Sequence, residues 1–410
     1  EEGARITGGA FEGNGAGDCT AGGIYSESAE HMLRLVDLSA HDNDGPGIMA
    51  QGHVQVSGSV EASRNRGAGV HLESAEGGFV GLKLSQPYGT LDVSENLDHG
   101  LSVVGGDLSF EFGRLIARRN CRFGVHADDG KAWIGGSGPR DPSQLHTLLE
   151  NGQTPPGAPG GVAWGFDASG SPAGSAFPVC GGGGVAIVGL SPDDRSTPNR
   201  VSTATISANQ GPGLATTDAV DIVDARIEMN FGPGVVFVSE DGDTDRTTTV
   251  VRFNPGPRSV VAANSGPGLQ VDAGSVRVRS PLRVENNTGA GVDIASGDLS
   301  LNMEVGAGRS ELRRNGTDAV GCVPWRVEAG VWINDRIGTC AHLDGASTED
   351  GDISATSPSV RDNLGAGFRA ADPESEGLGI VQVSGGEVCG NAQADAAREL
   401  RYEGVDQDCR

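Results

Sequence analysis

Aromatic residues make up only 4% of the 410-residue chain, and lysine is nearly missing: Lys83 and Lys131 are the two among 30 basic residues. Few exposed rings are therefore available to stack on sugars. Four methionines give no copper-binding cluster. Seven cysteines occur without a single C-x-x-C, which disfavours zinc or redox work. No stretch approaches the roughly 20 apolar residues that span a bilayer. Positive charge is scarce overall, with 55 acidic residues giving a formal charge of −25. That balance argues against nucleic acid and anionic membranes as partners, because counterion release needs the opposite sign. It is compatible with divalent cations and equally with simple solubility. The opening, EEGARITGG, carries no basic-then-apolar leader, which leaves a removed signal peptide and no signal peptide both open.

What the chain has in excess is glycine, 67 residues, and it is not spread at random. A phrase Asn-x-Gly-(Pro/Ala)-Gly, followed by an aliphatic residue or Phe, starts at Asn43, Asn65, Asn209, Asn230, Asn264, Asn287 and Asn363. Looser copies start at Asn96, Asn120 and Asn315, with a shortened echo at Asn14. Asn tolerates the left-handed backbone region and Gly reaches positive φ without steric cost, so the phrase predicts a turn. Pro between two glycines places that turn at a corner rather than inside a strand. Residues five and seven after most of these Asn are apolar, as in Val70/Leu72, Leu101/Val103 and Leu269/Val271, and the residues between them are mostly polar. Another apolar side chain stands three before each Asn. Period two on both sides of the corner predicts strand, corner, strand.

A unit of this kind repeated along a chain is a stacked coil, with strands about 4.8 Å apart along one axis. On these phrases the chain resembles the right-handed parallel β-helix repeat family, the pectate-lyase-like superfamily, over roughly residues 30 to 390. The resemblance implies an all-β, right-handed parallel β-helix of roughly 11–13 coils. It also implies a hydrogen-bonded ladder of corner Asn side chains. The family includes polysaccharide lyases and hydrolases, so the repeat specifies architecture and says little about activity.

Residues 1–410 read as one β-helix domain. Residues 1–29 form an N-terminal cap or first coil. Residues 131–200 and 322–357 are Gly- and Pro-rich excursions, with VAWGF and GVAIVGL keeping the stack going as strands. Residues 388–410 form a C-terminal cap with a short helical run. HMLRLVDLSA, despite its leucines, reads as strand leading into the corner at Asn43. Cys322–Cys340 and Cys389–Cys409 would each close a loop of about twenty residues, worth about 3 kcal/mol on a chain-entropy model. Such disulfides imply an oxidising, extracytoplasmic setting.

Convergent chemistry is sparse. Asp241, Asp243 and Asp245 alternate as a Ca²⁺ loop requires, but the EF-hand positions for Gly and Glu hold Arg246 and Arg252. A simpler carboxylate clip for Ca²⁺ and a plain polar turn both fit. Arg118, Arg119, Asp128 and Asp129 flank the corner at Asn120 and are the nearest thing to a catalytic group. His71 and His126 share an outward position but lie two coils apart, about 10 Å, too far for one metal ion. Asn-x-Thr at Asn286 and Asn315 falls inside the corner phrase, where a structural role fits better than glycosylation. The expectation is a secreted or cell-surface scaffold that displays loops to a polysaccharide or a surface protein. Self-assembly into an oligomer or filament extends that reading, because solenoid ends are strand edges. The alternative is a polysaccharide lyase or hydrolase acting on an acidic glycan.

Overall fold

The computed structural model describes residues 3–14, 22–28, 31–73, 80–84, 89–110, 113–135, 145–153, 180–189, 198–239, 248–256, 258–302, 309–316, 320–322, 325–328, 331–334, 338–339, 344–370, 379–397 and 399–407. Among these residues every regular element is a β-strand, and the long stacks are parallel, which makes the fold a parallel β-helix. The chain divides into two compact units, Glu1–Gly211 and Pro212–Arg410.

In the first unit the strand after each corner stacks in register on its neighbours. Ile24, Ile48, Val70, Leu101, Val125 and Val185 are consecutive Cα partners in one column. Ser26, Ala50, Leu72, Val103, Ala127 and Ile187 make the next column along the same strands. From Ile48 onward all of these side chains are buried, as alternation with a solvent face requires. The residues three before the corner, Ala62, Val93, Ala117 and Ile206, are buried too. The strand Leu33–His41 pairs along most of its length with Val54–Ser63, and Leu33, Leu35 and Leu38 all point inward. The N-terminal segment is itself a coil: Arg5–Thr7 and Ala10–Glu12 pair with Leu33–His41, and Ile24–Ser26 pairs with Ile48–Ala50. GVAIVGL contributes the strand Val185–Val188, while VAWGF lies outside the described residues.

The second unit repeats the plan. Leu214, Val235, Leu269, Val292, Ala346 and Phe368 form its leading inward column. The irregular stretch from Cys322 contains antiparallel strands, Trp325–Glu328 with Val331–Asn334, and Val320–Cys322 with Gly338–Thr339. Regular coils resume at Ala346–Asp350, earlier than the sequence suggests. The helical run expected in the tail is not helical. Ala396–Ala397 and Glu399–Glu403 are strands paired in parallel with Phe368–Ala370 and Ile380–Ser384, so the tail is one more coil. Ladder bonds along an open strand edge outweigh the helix propensity of a short Ala/Arg/Leu segment, which is too brief to nucleate a helix alone.

The corners work differently from the sequence expectation. The left-handed residue is not the Asn but the one before it: Asp42, Arg64, Glu95, Arg119, Glu150, Ala208, Met229, Ala263, Asn286, Arg314 and Asp362 all have φ between 52° and 58° or close to it, the highest being 62° at Glu95. Nor do the glycines of the phrase supply positive φ. The last one is required by close stacking: a Cβ on Gly69 would lie 2.6 Å from the Ala62 carbonyl oxygen, 2.7 Å from Asn96 Nδ2 and 2.7 Å from the Gly100 carbonyl oxygen. Two of those three atoms belong to the next coil, so any side chain there would push the coils apart.

Candidate functional site

Freed from the turn itself, the corner Asn builds the ladder. The backbone N–H and the Nδ2 of Asn65 both donate to Oδ1 of Asn96 at 3.0 Å, and Nδ2 donates also to the Ala40 carbonyl at 3.1 Å. The same bonds run Asn14, Asn43, Asn65, Asn96, Asn120, Asn151 and Asn209 in the first unit. In the second they run Asn230, Asn264, Asn287, Asn315, Asn363 and Asn391. Nearly all are buried, and each buried amide is satisfied by its neighbours. Asn315 is therefore a structural residue. Asn151 and Asn391 escape the sequence phrase because an insertion follows one and no Gly-x-Gly follows the other. Their signal is the apolar residue three earlier, Leu148 and Val388.

Beside the ladder, residues one, two and four before each Asn face outward. In the first unit they line a shallow cleft of about 290 Å³ formed by Glu61, Ser63, Arg64, Asp92, Ser94, Glu95, Arg118 and Arg119. Glu61 and Asp92 are register partners on adjacent strands. The Ser63 hydroxyl donates to Glu61 at 2.5 Å, and the Ser94 hydroxyl donates to Asp92 in the same way. Burial raises the Asp92 carboxyl above its ordinary value, and the nearby Glu61 charge adds to that. Two of the arginines are engaged: Arg64 grips both oxygens of Asp42 at 3.0 and 2.9 Å and reaches Glu61 at 4.0 Å. Arg119 pairs with Glu150 at 2.6 Å and Glu95 at 3.8 Å. Arg64 holds the Asp42 carboxyl below its usual range. The second unit has a comparable network, with Arg283–Glu311 at 3.1 Å and Arg313–Glu285 at 2.6 Å.

Arg119 thus meets carboxylates, Glu150 and Glu95, and Arg118 lines the cleft beside Asp92. Asp128 and Asp129 do not line the cleft, because the corner turns them onto a different face of the coil. His71 and His126 stand two rungs apart, each a register partner of Ser102. What the sequence reading missed is His99, at the corner of the intervening coil, whose ring stacks on His126 with centroids 4.5 Å apart and planes 18° apart. Burial and the His126 charge hold His99 well below its ordinary pKa, and burial lowers His126. Near-parallel rings cannot aim in-plane lone pairs at one ion, so the stack is not a chelate. Among the described residues one group of three, Glu12, His41 and Asp42, brings ligand-type atoms within 4.8 Å. Arg64 already occupies both Asp42 oxygens there.

Asp241, Asp243 and Asp245 lie outside the described residues. So do Cys340 and Cys409, and the side chain of Cys322. Cys389 is disulfide-bonded. A pairing the sequence did not suggest joins Cys121 to Cys180. Cys180 returns to the stack beneath Cys121, where Gly181 N–H donates to the Cys121 carbonyl at 2.9 Å. Of the 131–200 excursion, 136–144, 154–179 and 190–197 lie outside the described residues, as does much of 322–343. No helix among the described residues is long and apolar enough to cross a membrane. Compared with known proteins, the chain matches no family model, no curated protein and no solved structure.

Proposed function

We propose that this chain is a secreted or cell-surface β-helix scaffold, structural or adhesive in role, related in architecture to the pectate-lyase-like superfamily but not catalytic. The observation that carries the reading is the mutual satisfaction of its polar groups. Ladder amides bond to ladder amides, and Arg64 and Arg119 of the cleft are ion-paired with neighbouring carboxylates rather than held open for a reacting bond. A reaction centre needs groups aimed at the substrate and unpaired until it arrives. The Cys121–Cys180 disulfide supports an oxidising compartment. In this reading the excursions at 131–200 and 322–357 supply recognition from a rigid support, and self-association is an extension of it.

A second reading rests on Glu61 and Asp92. Two outward carboxylates on adjacent rungs, one with a raised pKa, are the elements of glycoside cleavage. Incubation with a panel of uronate and neutral polymers separates the two readings. The scaffold reading expects no unsaturated products and no shortening of any polymer. Turnover that disappears in Asp92→Asn would overturn it in favour of the enzyme. Light scattering at high concentration tests self-association separately, and a clean monomer removes that extension.

A further inference from the structure

Two stacked rings in the first unit have no task in either functional reading. Three residues after the ladder Asn, successive corners carry Pro46, Ala68, His99 and Phe123. The glycine that follows each one donates its N–H to the same position on the next rung. Gly47 bonds to the Ala68 carbonyl at 3.0 Å, Gly69 to His99 at 3.1 Å, Gly100 to Phe123 at 3.0 Å and Gly124 to Gly183 at 3.1 Å. The last of these bonds, with Gly181 N–H on the Cys121 carbonyl and the Cys121–Cys180 disulfide, seats residues 180–184, where the chain re-enters the stack. The His99 ring stacks on Phe123 with centroids 6.2 Å apart and on His126 with centroids 4.5 Å apart. The His99 side chain is 11% exposed. Nδ1 of His99 and Nδ1 of His126 are both buried and, among the described residues, have no hydrogen-bond partner.

A phenylalanine would fill either place without leaving a polar nitrogen unpaired in the interior, as Phe123 does one rung on. What an imidazole adds is the capacity to take up a proton within a few units of neutral pH. Neutral, the two rings pack face to face. Protonated, they are like charges 4.5 Å apart with little water between them. The ionisable groups that face them among the described residues are few. Arg122, from the Phe123 rung, adds a third positive charge. Asp98 opposes it, 3.3 Å from Arg122 Nε and 3.8 Å from His99 Nε2. His71 faces them from the rung before, itself 3.6 Å from Glu73, and Asp128 lies on the strand of His126. Val185–Val188, which pairs with that strand, brings no ionisable group. Burial, the His126 ring and Arg122 together keep His99 neutral well below its ordinary range, and burial lowers His126. We propose that His99 and His126 form an acid-released latch. A proton on each ring drives the two apart, breaks the Gly69, Gly100 and Gly124 bonds of the corner column and loosens the seat of residues 180–184, while the other coils stay folded. The disulfide keeps the opened corner tethered, so the stack re-forms when the protons leave. The latch goes beyond the scaffold reading and does not depend on it.

The test is hydrogen exchange of the full, oxidised chain, followed peptide by peptide from about pH 7.5 to about pH 4.5 and corrected for the intrinsic rate at each pH. Peptides holding Gly69, Gly100 and Gly124 are expected to exchange at least about tenfold faster at the acid end, while those holding Leu269 and Val292 keep their protection. The imidazole resonances of His99 and His126 should titrate over the same range in which that protection is lost. The double variant His99→Phe, His126→Phe keeps two stacked rings without a site for a proton, and should show no such rise. Asp98→Asn removes the nearest opposing charge and should move the opening to higher pH, which keeps the proposal testable if the double variant does not fold. His146→Gln, which removes a buried histidine outside the column, should leave the rise intact. Urea melts at neutral pH confirm that each variant is folded. Protection at Gly100 and Gly124 that survives acid overturns the latch, as does a rise that persists in the folded double variant. A rise shared equally by Leu269 and Val292 also overturns it, because the chain would then be unfolding as a whole.

Discussion

At the scale of single residues the corner divides its labour in a way that propensity alone hides. Asn and Gly are the residues that enter the left-handed region most cheaply, so the repeated phrase invites the inference that they do so here. Instead the strained conformation falls on residues such as Arg64, Arg119 and Ala263, and the glycines are set by contact with the next coil. A single sequence shows which residues recur but not which atoms of the neighbouring rung they meet, and this is why the phrase was legible while the roles inside it were not. Two substitutions with opposite expected signs check the assignment. Ala263→Gly relieves a φ of 54° and should stabilise the chain by up to about 1 kcal/mol. Gly268→Ala places a Cβ 2.5 Å from the Gly291 carbonyl oxygen and should cost about 1–3 kcal/mol or more. Urea melts of the two variants suffice. Equal effects of the same sign would mean that the left-handed residue has been misplaced.

At the scale of the coil, the inward positions were legible because period two is a direct consequence of a pleated strand with one buried face. The tail was not, since AQADAAREL satisfies a helical composition and only the open edge of Ile380–Ser384 turns it into strand. His99 was hidden because it stands where other corners carry Pro or Ala, and nothing in its local sequence announces a stack with His126. The Cys121–Cys180 bridge was hidden by its sequence separation of 59, which the stack reduces to a Cα–Cα distance of 4.5 Å. It closes the chain around the insertion that follows Asn151. Replacing both cysteines by Ala should lower stability by about 4 kcal/mol on the chain-entropy model. The check is thermal unfolding of the variant against the oxidised protein, and an unchanged melting temperature would show that the bridge constrains nothing.

At the scale of the whole molecule, buried histidines couple stability to pH. His146 accepts the Leu115 N–H through Nδ1, and burial, aided by Arg114, lowers its pKa to about 4. His99 and His126 are lowered as well. A histidine with a depressed folded pKa binds fewer protons folded than unfolded, so its contribution is complete above the unfolded value near 6.5 and is lost as pH falls toward the folded one. Between about pH 6.5 and 4 the chain should therefore lose stability, by roughly 3 kcal/mol from His146 alone. The raised pKa of Asp92 works in the opposite direction over the acid range and reduces the slope. Urea midpoints taken across that range measure the loss, and His146→Gln, which keeps an acceptor for Leu115, should flatten it. A midpoint independent of pH would contradict the burial of these rings.

Everything displayed on the surface, the Glu61–Asp92 cleft included, depends on coils held in register by the ladder. The most direct measurement is a double-mutant cycle on adjacent rungs, Asn96→Ala and Asn120→Ala, in urea denaturation. Asn96 donates its N–H and its Nδ2 to Asn120 Oδ1 at 3.1 Å. The ladder predicts that each single variant is destabilised and that the double variant loses less than their sum by about 1 kcal/mol or more. Losses that add to within about 0.5 kcal/mol would mean that the two amides do not interact, and the ladder would not be what keeps the rungs aligned.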